Sequence, residues 1–188
     1  MLFIAPAATF SLTNFLSGIG SDFHASSHFV GAVGGGGVVL GGIVGCLLFR
    51  LIDRLLPLRL LYVAIGAMGA MFTFALIFFP RTPSAFAIAL IGENVFQGLA
   101  ITASTAISFE TIGRANPLAA TTYCLMVSAF NIPITYMLFV DGSGYARAGV
   151  AGAYAADAAL SLIASLSLGA LLIWIARRRV LGPLAIAS

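Results

Sequence analysis

Residues 29–49 read FVGAVGGGGVVLGGIVGCLLF and contain no charged side chain. A helix of about 20 apolar residues spans the hydrocarbon core of a bilayer, which is roughly 30 Å thick. The rest of the chain has the same character, because 61% of its 188 residues are hydrophobic and only 8% are charged. Soluble domains carry about 25% charged residues. The sequence therefore predicts an integral membrane protein built from helices.

Proline, glycine, asparagine and arginine divide the chain into six apolar segments of membrane-spanning length. The predicted fold class is an all-α membrane protein with one bundle of six transmembrane helices. Met1 is followed directly by apolar residues, with no basic region ahead of them, so we interpret the first segment as a span and not as a signal peptide. The predicted spans cover residues 2–18, 29–49, 60–79, 85–109, 118–140 and 151–176, and a short tail follows at 177–188.

The arginines predict the orientation of the bundle, since basic residues collect in cytoplasmic loops. We therefore expect both termini and the arginine-rich loops to lie in the cytoplasm. The basic composition reports this topology and does not indicate a nucleic-acid partner. One set of alternate loops carries Arg50, Arg54, Arg59, Arg114, Arg177, Arg178 and Arg179, and the other set carries Arg81 and Arg147.

Residue types that usually carry catalysis or bind metals are sparse. Cys46 and Cys124 lie inside predicted spans, where packing is their expected role. Asp22, His24 and His28 lie around the first outer loop and could form a metal site, but loop polarity explains them as well. The sequence contains no phosphate-binding glycine loop, nucleophile elbow or intramembrane protease motif. It predicts no catalytic residue, no metal and no cofactor.

The fourth predicted span has one polar side. Glu93, Gln97, Ser104 and Ser108 fall within a sector of roughly 60° at 3.6 residues per turn. Polar groups at this depth face protein or a water-filled cavity, because they are costly in lipid. Glu93 lies about 12 Å into the span. We therefore expect it to line a cavity and to exchange a proton there; the alternative is a structural carboxyl group that is protonated and hydrogen-bonded.

Three further spans also carry polar stripes. Hydroxyl groups in them could simply bond their own backbone or dock a neighbouring helix. The other interpretation is a solute pathway, lined by Asn14, Glu93, Gln97, Ser128 and Asn131, with Asp157 as a second proton carrier. The stripes are Ser11, Asn14 and Gly18 in the first span, Thr121, Cys124, Ser128, Asn131 and Thr135 beside Pro133 in the fifth, and Asp157, Ser161 and Ser165 in the sixth.

Glycines in the second span recur every four residues in two sets. Gly31 and Gly35 form one set, and Gly37, Gly41 and Gly45 form the other. Such spacing lets two helices approach closely in a membrane. Two interpretations fit this spacing: a fixed packing seam, and a seam along which another helix slides.

The loop that follows reads RLIDRLLPLR at residues 50–59. Its Asp53, Arg54 and Arg59 resemble the loop signature of the major facilitator superfamily, which implies a cytoplasmic gate. Phe49 departs from that signature, which usually has glycine four residues before the aspartate. Arginines here also satisfy the orientation rule without any gating role.

Three further stretches resemble the C-terminal half of one branch of this superfamily, the muropeptide permeases (AmpG-like) and acetyl-CoA transporters. They read GENVFQGLA at 92–100, SFETIGRANPLAAT at 108–121 and NIPITYM at 131–137. The resemblance implies helices seven to twelve of a permease in the bacterial inner membrane. It also implies alternating access and proton-driven import of cell-wall muropeptides or a related solute.

Such a transporter consists of two six-helix bundles, so a single bundle needs a partner that supplies the other half. The partner would be an N-terminal six-helix half or another six-helix chain, including a second copy in a homodimer. Two alternatives remain, namely a non-transporting membrane subunit or assembly scaffold, and an inactive fragment of a longer permease. The scaffold would keep the polar stripes dry against other helices, whereas a transporter would hydrate them.

Overall fold

The fold is seen in a computed structural model, which describes residues 14–113 and 116–181. These residues are almost entirely helical and include no strand, which confirms the all-α prediction. Of the predicted first span, residues 2–13 lie outside the described part. Four described helices are long and apolar enough to cross a membrane, which fits a membrane protein: Ser27–Ile52, Leu58–Phe78, Pro83–Ile112 and Ala119–Arg178.

Helix α1 covers Ser27–Ile52 and follows a short 3-10 helix at Ser17–Phe23. Its start is set by Ser26, whose hydroxyl oxygen accepts a hydrogen bond from the Phe29 N–H at 3.2 Å. One π-helical turn interrupts α1 at Val33–Gly37, where four consecutive glycines offer no side chains to hold the regular spacing.

Proline and glycine fix the ends of the next two helices. Helix α2 covers Leu58–Phe78 and begins directly after Pro57. Helix α3 covers Pro83–Ile112, with a proline in its first turn, where no N–H partner is needed. It ends at Gly113, whose φ of 73° is accessible to glycine at little cost.

The last helical stretch, Ala119–Leu181, is divided by a sharp turn. Ala148 has φ −142° and ψ 23°, and Gly149 has φ 61° and ψ −150°, a conformation that is essentially confined to glycine. The stretch therefore comprises α4 (119–147) and α5 (150–181). The sequence placed a loop at 141–149, but the structure continues α4 through 147 and turns only at Ala148 and Gly149.

Helices α4 and α5 lie against each other as an antiparallel hairpin. A Cβ atom on Gly144 would collide with the carbonyl oxygen of Gly152, and one on Gly152 would collide with that of Gly144. In a straight helix these two residues would be about 12 Å apart. The contact therefore shows that the chain doubles back and that two glycines let its arms touch.

Helices α1 and α3 meet at a glycine seam. Gly41 and Gly45 of α1 are buried there, and a Cβ on Gly41 would lie 2.8 Å from the carbonyl oxygen of Ile91. Gly98 of α3 faces them, and a Cβ there would lie 3.2 Å from the Gly45 Cα. The two backbones are thus in direct contact.

The two glycine sets of α1 differ in their surroundings. A Cβ on Gly31 or Gly35 would meet nothing within 4 Å, whereas one on Gly37 would lie 3.2 Å from the Ile91 side chain. The Gly37, Gly41 and Gly45 set therefore forms the contact with α3. The other set faces open space within the described part of the protein.

The buried apolar side chains form two clusters, one toward each end of the bundle. The outer surface is apolar as well, as expected where lipid replaces water. Examples are Leu47, Met71 and Phe139, which are 66%, 66% and 78% exposed. One cluster comprises Phe49, Leu61, Tyr62, Ile65, Leu99, Ala100, Ala103 and Ile107, and the other comprises Leu16, Ile19, Phe23, Leu76, Ala85, Phe86, Ala89, Leu90, Val150 and Tyr154.

The glycine seam predicts a stability difference between two neighbouring glycines. We expect Gly45→Ala to lower the free energy of unfolding by about 1–3 kcal/mol, the usual cost of overpacking. The added Cβ would collide with the Val95 carbonyl oxygen and lie 3.1 Å from the Gly98 Cα. Gly42→Ala is the matched control, because its Cβ meets nothing within 4 Å. Denaturation in detergent micelles, followed by circular dichroism, measures both; equal stability of the two variants would contradict the seam.

Candidate functional site

Three carboxyl side chains lie inside the bundle. Glu93 on α3, Asp141 on α4 and Asp157 on α5 are each 0% exposed. Each of them interacts electrostatically with the other two. We call these three residues the acid cluster. A membrane protein rarely buries ionisable groups without a functional reason.

The hairpin turn brings two members of the acid cluster to the same depth. Asp141 precedes the turn at Ala148 and Gly149, and Asp157 follows it, each by about 10–12 Å of helix. The Gly144–Gly152 contact holds the two arms close enough for the aspartates to interact. Glu93 reaches the same level from α3.

Thr73 of α2 holds Glu93 in place. The Thr73 Oγ1 atom lies 2.6 Å from Glu93 Oε1 and 3.1 Å from the carbonyl oxygen of Gly69. A hydroxyl group has one proton to donate. Both contacts are satisfied at once when Glu93 carries a proton and donates it to Thr73, while Thr73 donates to Gly69. This geometry accommodates a neutral carboxylic acid.

An aromatic and cationic layer covers the acid cluster toward the α2–α3 loop. The guanidinium carbon of Arg81 lies 5.3 Å from the ring centroid of Phe23 and 5.8 Å from that of Tyr154. Tyr154 is 1% exposed and interacts electrostatically with both Glu93 and Arg81. It therefore separates the carboxyl groups from the cation at the end of the bundle.

Several buried oxygen atoms in this region have no hydrogen-bond partner among the described residues. A buried acceptor or hydroxyl that lacks its partner costs about 1–3 kcal/mol. Native proteins rarely tolerate such groups without a reason. These atoms are Glu93 Oε2, both carboxyl oxygens of Asp157, the hydroxyls of Ser161 and Ser165, and the phenol oxygen of Tyr154.

A second polar region is a cleft between α3 and α4 with a volume of about 240 Å³. Its polar wall includes Ser104 and Ser108 from α3 and Asn131 from α4. The Asn131 side-chain N–H donates to the Val127 carbonyl at 3.0 Å, so its amide is oriented by its own helix. Phe130 and Tyr123 supply the aromatic part of the wall. Hydrogen-bonding groups beside aromatic rings are suited to a polar organic solute.

The predicted polar stripe of α3 is therefore divided between two places. Glu93 belongs to the acid cluster, whereas Ser104 and Ser108 line the cleft about 16 Å and about 22 Å further along the helix. Gln97, half-buried, lies between these two regions along α3. The stripe faces inward over its whole length, but neighbouring helices cover one part and leave the other open.

The remaining predicted cavity residues lie at the surface of the bundle. Asn131 borders the cleft, and Ser128 is exposed on the same helix one turn earlier. Asn14 is exposed near the start of the described chain. Asp157, the predicted second proton carrier, lies deep in the acid cluster. The structure thus brings Glu93 and Asp157 together and keeps both apart from Asn131.

The predicted gate residues lie around the short turn between α1 and α2, with Arg59 in the first turn of α2. Asp53, Arg54 and Arg59 are all exposed. The Asp53 backbone N–H donates to the Phe49 carbonyl at 2.9 Å and closes the end of α1. All three side chains therefore lie at the surface of the described part of the protein.

The possible metal ligands near the first loop are not assembled into a site. Asp22 accepts a hydrogen bond from the Tyr145 hydroxyl at 2.7 Å, which ties the loop to the end of α4. His24 and His28 are exposed. Within residues 14–113 and 116–181, no group of three histidine, cysteine or acidic side chains could hold a metal ion. Cys46 and Cys124 are free thiols.

Sequence reasoning missed three residues of the site. Asp141 was assigned to a loop, and neither Tyr154 nor Thr73 was singled out. A signal for Asp141 was present, because Pro133, Met137 and Asp141 recur every four residues and are all buried. Extending the helical period by one turn past the predicted span would have placed Asp141 on the buried face.

Comparison of the chain with protein-family models, with curated proteins and with solved structures finds no match in any of the three.

The Thr73 contact predicts how Glu93 tolerates substitution. We expect Glu93→Ala to destabilise the fold by about 1–3 kcal/mol or more, because it removes the buried hydrogen bond to Thr73 and leaves a cavity. Glu93→Gln keeps the volume and a group that can donate to Thr73, so its melting temperature should stay near that of the unchanged protein. Glu110→Ala is the control, since Glu110 is exposed on the same helix. Glu93→Ala melting at the same temperature as Glu110→Ala would refute this role.

Proposed function

We propose that this chain is one six-helix half of a proton-driven membrane transporter that works by alternating access. The observation that carries the proposal is the acid cluster, three mutually interacting carboxyl groups buried between long apolar helices. A fixed scaffold gains nothing from three such groups in one place. A group that must take up and release protons has a use for them, and proton relays in membranes are built this way.

Glu93 and Asp157 exchange the proton in this proposal, and Asp141 adjusts their charge balance. One added proton relieves repulsion among all three carboxyl groups, whereas losing it restores that repulsion. A change in hydration as the bundle rocks would then alter the proton affinity of the cluster. This supplies the link between proton binding and conformation that a coupled transporter needs.

The solute would bind along the α3–α4 cleft and the exposed polar side of α4. Asn131 and Ser128 would contact the solute directly, with Gln97 and Asn14 extending the polar wall. Thr121 and Thr135 are exposed on the same helix. Polar groups in hydrocarbon cost from fractions of a kcal/mol to several kcal/mol each. We therefore propose that a partner bundle, either an N-terminal-type half or a second copy, covers this side.

The identity of the solute rests on the resemblance described above. Cell-wall muropeptides carry sugar and peptide groups that match the amide, hydroxyl and aromatic groups of the cleft. The same resemblance implies the bacterial inner membrane, and the arginine distribution favours cytoplasmic termini. Asp53, Arg54 and Arg59 would then meet the partner bundle at the cytoplasmic gate.

Cysteine accessibility tests whether the cleft is a solute pathway. In a protein with Cys46→Ala and Cys124→Ala, we expect Asn131→Cys to react with a membrane-impermeant thiol reagent at least tenfold faster than Phe139→Cys. Both positions are exposed on α4, but Phe139 faces away from the cleft lining and would contact lipid. The reagent reacts with the thiolate, which forms only where water is present. A water-filled pathway would therefore activate the cysteine at position 131 but not the one at position 139.

The scaffold alternative gives the opposite result in the same experiment. A polar stripe that docks another helix stays dry, so both cysteines would react slowly in native membrane vesicles. The reagent is added from each side in turn, and detergent-solubilised protein provides the fully reactive reference. Equal, slow labelling at both positions would rule out the pathway.

The coupling role of Glu93 is tested by transport itself. Right-side-out membrane vesicles from the protein's own cells retain any natural partner and are loaded with a pH-sensitive dye. We expect external anhydromuropeptide to acidify the vesicle interior, and Glu93→Gln to slow this at least tenfold. Gln cannot release a proton, although it keeps the hydrogen-bonded volume. Glu110→Gln is the control; unchanged acidification in Glu93→Gln would remove the coupling role.

A further inference from the structure

Helix α5 carries a buried polar face that the proposed solute cleft does not use. Asp157, Ser161 and Ser165 follow one another at intervals of one turn, and each is 0% exposed. Both carboxyl oxygens of Asp157 and both serine hydroxyls have no hydrogen-bond partner among the described residues. Three adjacent buried groups without such partners need hydrogen bonds from something other than the described protein atoms.

The two serines differ from the other hydroxyl residues of the bundle. A helical serine or threonine usually satisfies its hydroxyl by donating to a carbonyl about one turn earlier. Ser161 and Ser165 make no such bond, so backbone bonding does not explain them. Hydroxyls that do donate to their own helix are those of Thr73, Thr102, Ser104, Ser108, Thr111, Thr122, Thr135 and Ser143.

Helix α5 packs against α2 through small residues on the side that carries these serines. A Cβ on Gly169 of α5 would lie 3.5 Å from Val63 of α2, and Ala158 shares a cavity wall with Ala70. The two helices are therefore antiparallel, and the segment of α2 between Val63 and Ala70 lies opposite the serines. Its buried residues include glycines at positions 66 and 69, which have no side chains to fill the interface.

We infer that water molecules occupy this face of α5 and form a proton path from Asp157 through Ser161 to Ser165. Side chains four residues apart in a helix have Cβ atoms about 5–6 Å apart. Two O–H···O bonds of about 2.8 Å cover that distance, so one water fits between successive groups. Each water then has at least two polar partners, as buried waters require.

The path runs in one direction from the acid cluster. It leads toward the end of α5 that carries Arg177 and Arg178, the end predicted to be cytoplasmic. In the other direction, the rings of Tyr154 and Phe23 lie under the Arg81 guanidinium. Glu93 and Asp141 face Asp157 from α3 and α4. The inference rests on the proposed proton coupling and assigns its route in this conformation.

Solid-state NMR on the full chain in lipid vesicles tests the hydration without any substitution. Magnetisation transfer from water protons should reach Ser161 and Ser165 at least fivefold faster than it reaches Ala153, a buried apolar residue of the same helix. Ser161 and Ser165 receiving water signal as slowly as Ala153 would overturn the inference. The vesicle acidification assay tests the coupling role of Glu93 separately and does not depend on this NMR measurement.

Substitution of the serines tests whether the water carries protons. In the vesicle acidification assay, Ser161→Ala with Ser165→Ala should slow proton entry at least tenfold. Ser167→Ala is the matched control, because Ser167 is exposed on the same helix. The conservative variant Ser161→Thr keeps a hydroxyl at this position, so it should retain most of the rate of proton entry. A slow rate caused only by a packing defect would not recover in this way. Normal proton entry in the double variant would overturn the path even if the serines are hydrated.

Discussion

The hydrogen bond between Thr73 and Glu93 joins α2 to α3 at the point where α4 and α5 contribute two more carboxyl groups. Lipid offers no water to solvate these groups, so the protein itself has to keep them neutral or supply their partners. That requirement determines which faces of four helices point inward. The apolar faces are then free to contact lipid. The buried polar groups therefore determine how the helices are arranged.

Two glycine contacts make this arrangement possible. The α4–α5 hairpin can place Asp141 beside Asp157 because Gly149 adopts a backbone conformation that other residues rarely reach, and because Gly144 and Gly152 allow the arms to touch. The seam at Gly45 and Gly98 brings α1 directly against α3. Small residues therefore set the distances at which the polar groups meet, as is common in membrane helix packing.

The helical class and the inward position of Glu93 were predictable from the sequence because both follow from local rules, apolar length and the cost of a charge in lipid. The sequence did not predict the acid cluster, because Asp141 lies next to a Gly-Ser-Gly segment that reads as a loop. Its burial depends on the tight hairpin, which is a tertiary contact. The division of the α3 stripe between cluster and cleft likewise depends on which neighbours cover each turn, and periodicity carries no such information.

The separation of the two polar regions constrains any transport mechanism. Glu93 and the cleft serines lie about 16–22 Å apart along one helix, so proton and solute do not touch in the proposed mechanism. Coupling must then be mechanical, through movement of α3 or α4 relative to the rest. The backbone contact of α3 with α1 opposes bending there, whereas α4 contains Pro133, where a missing hydrogen bond lowers the cost of a kink. We therefore expect α4 to be the moving helix, since it carries Asp141 of the cluster and Asn131 of the cleft on one continuous element.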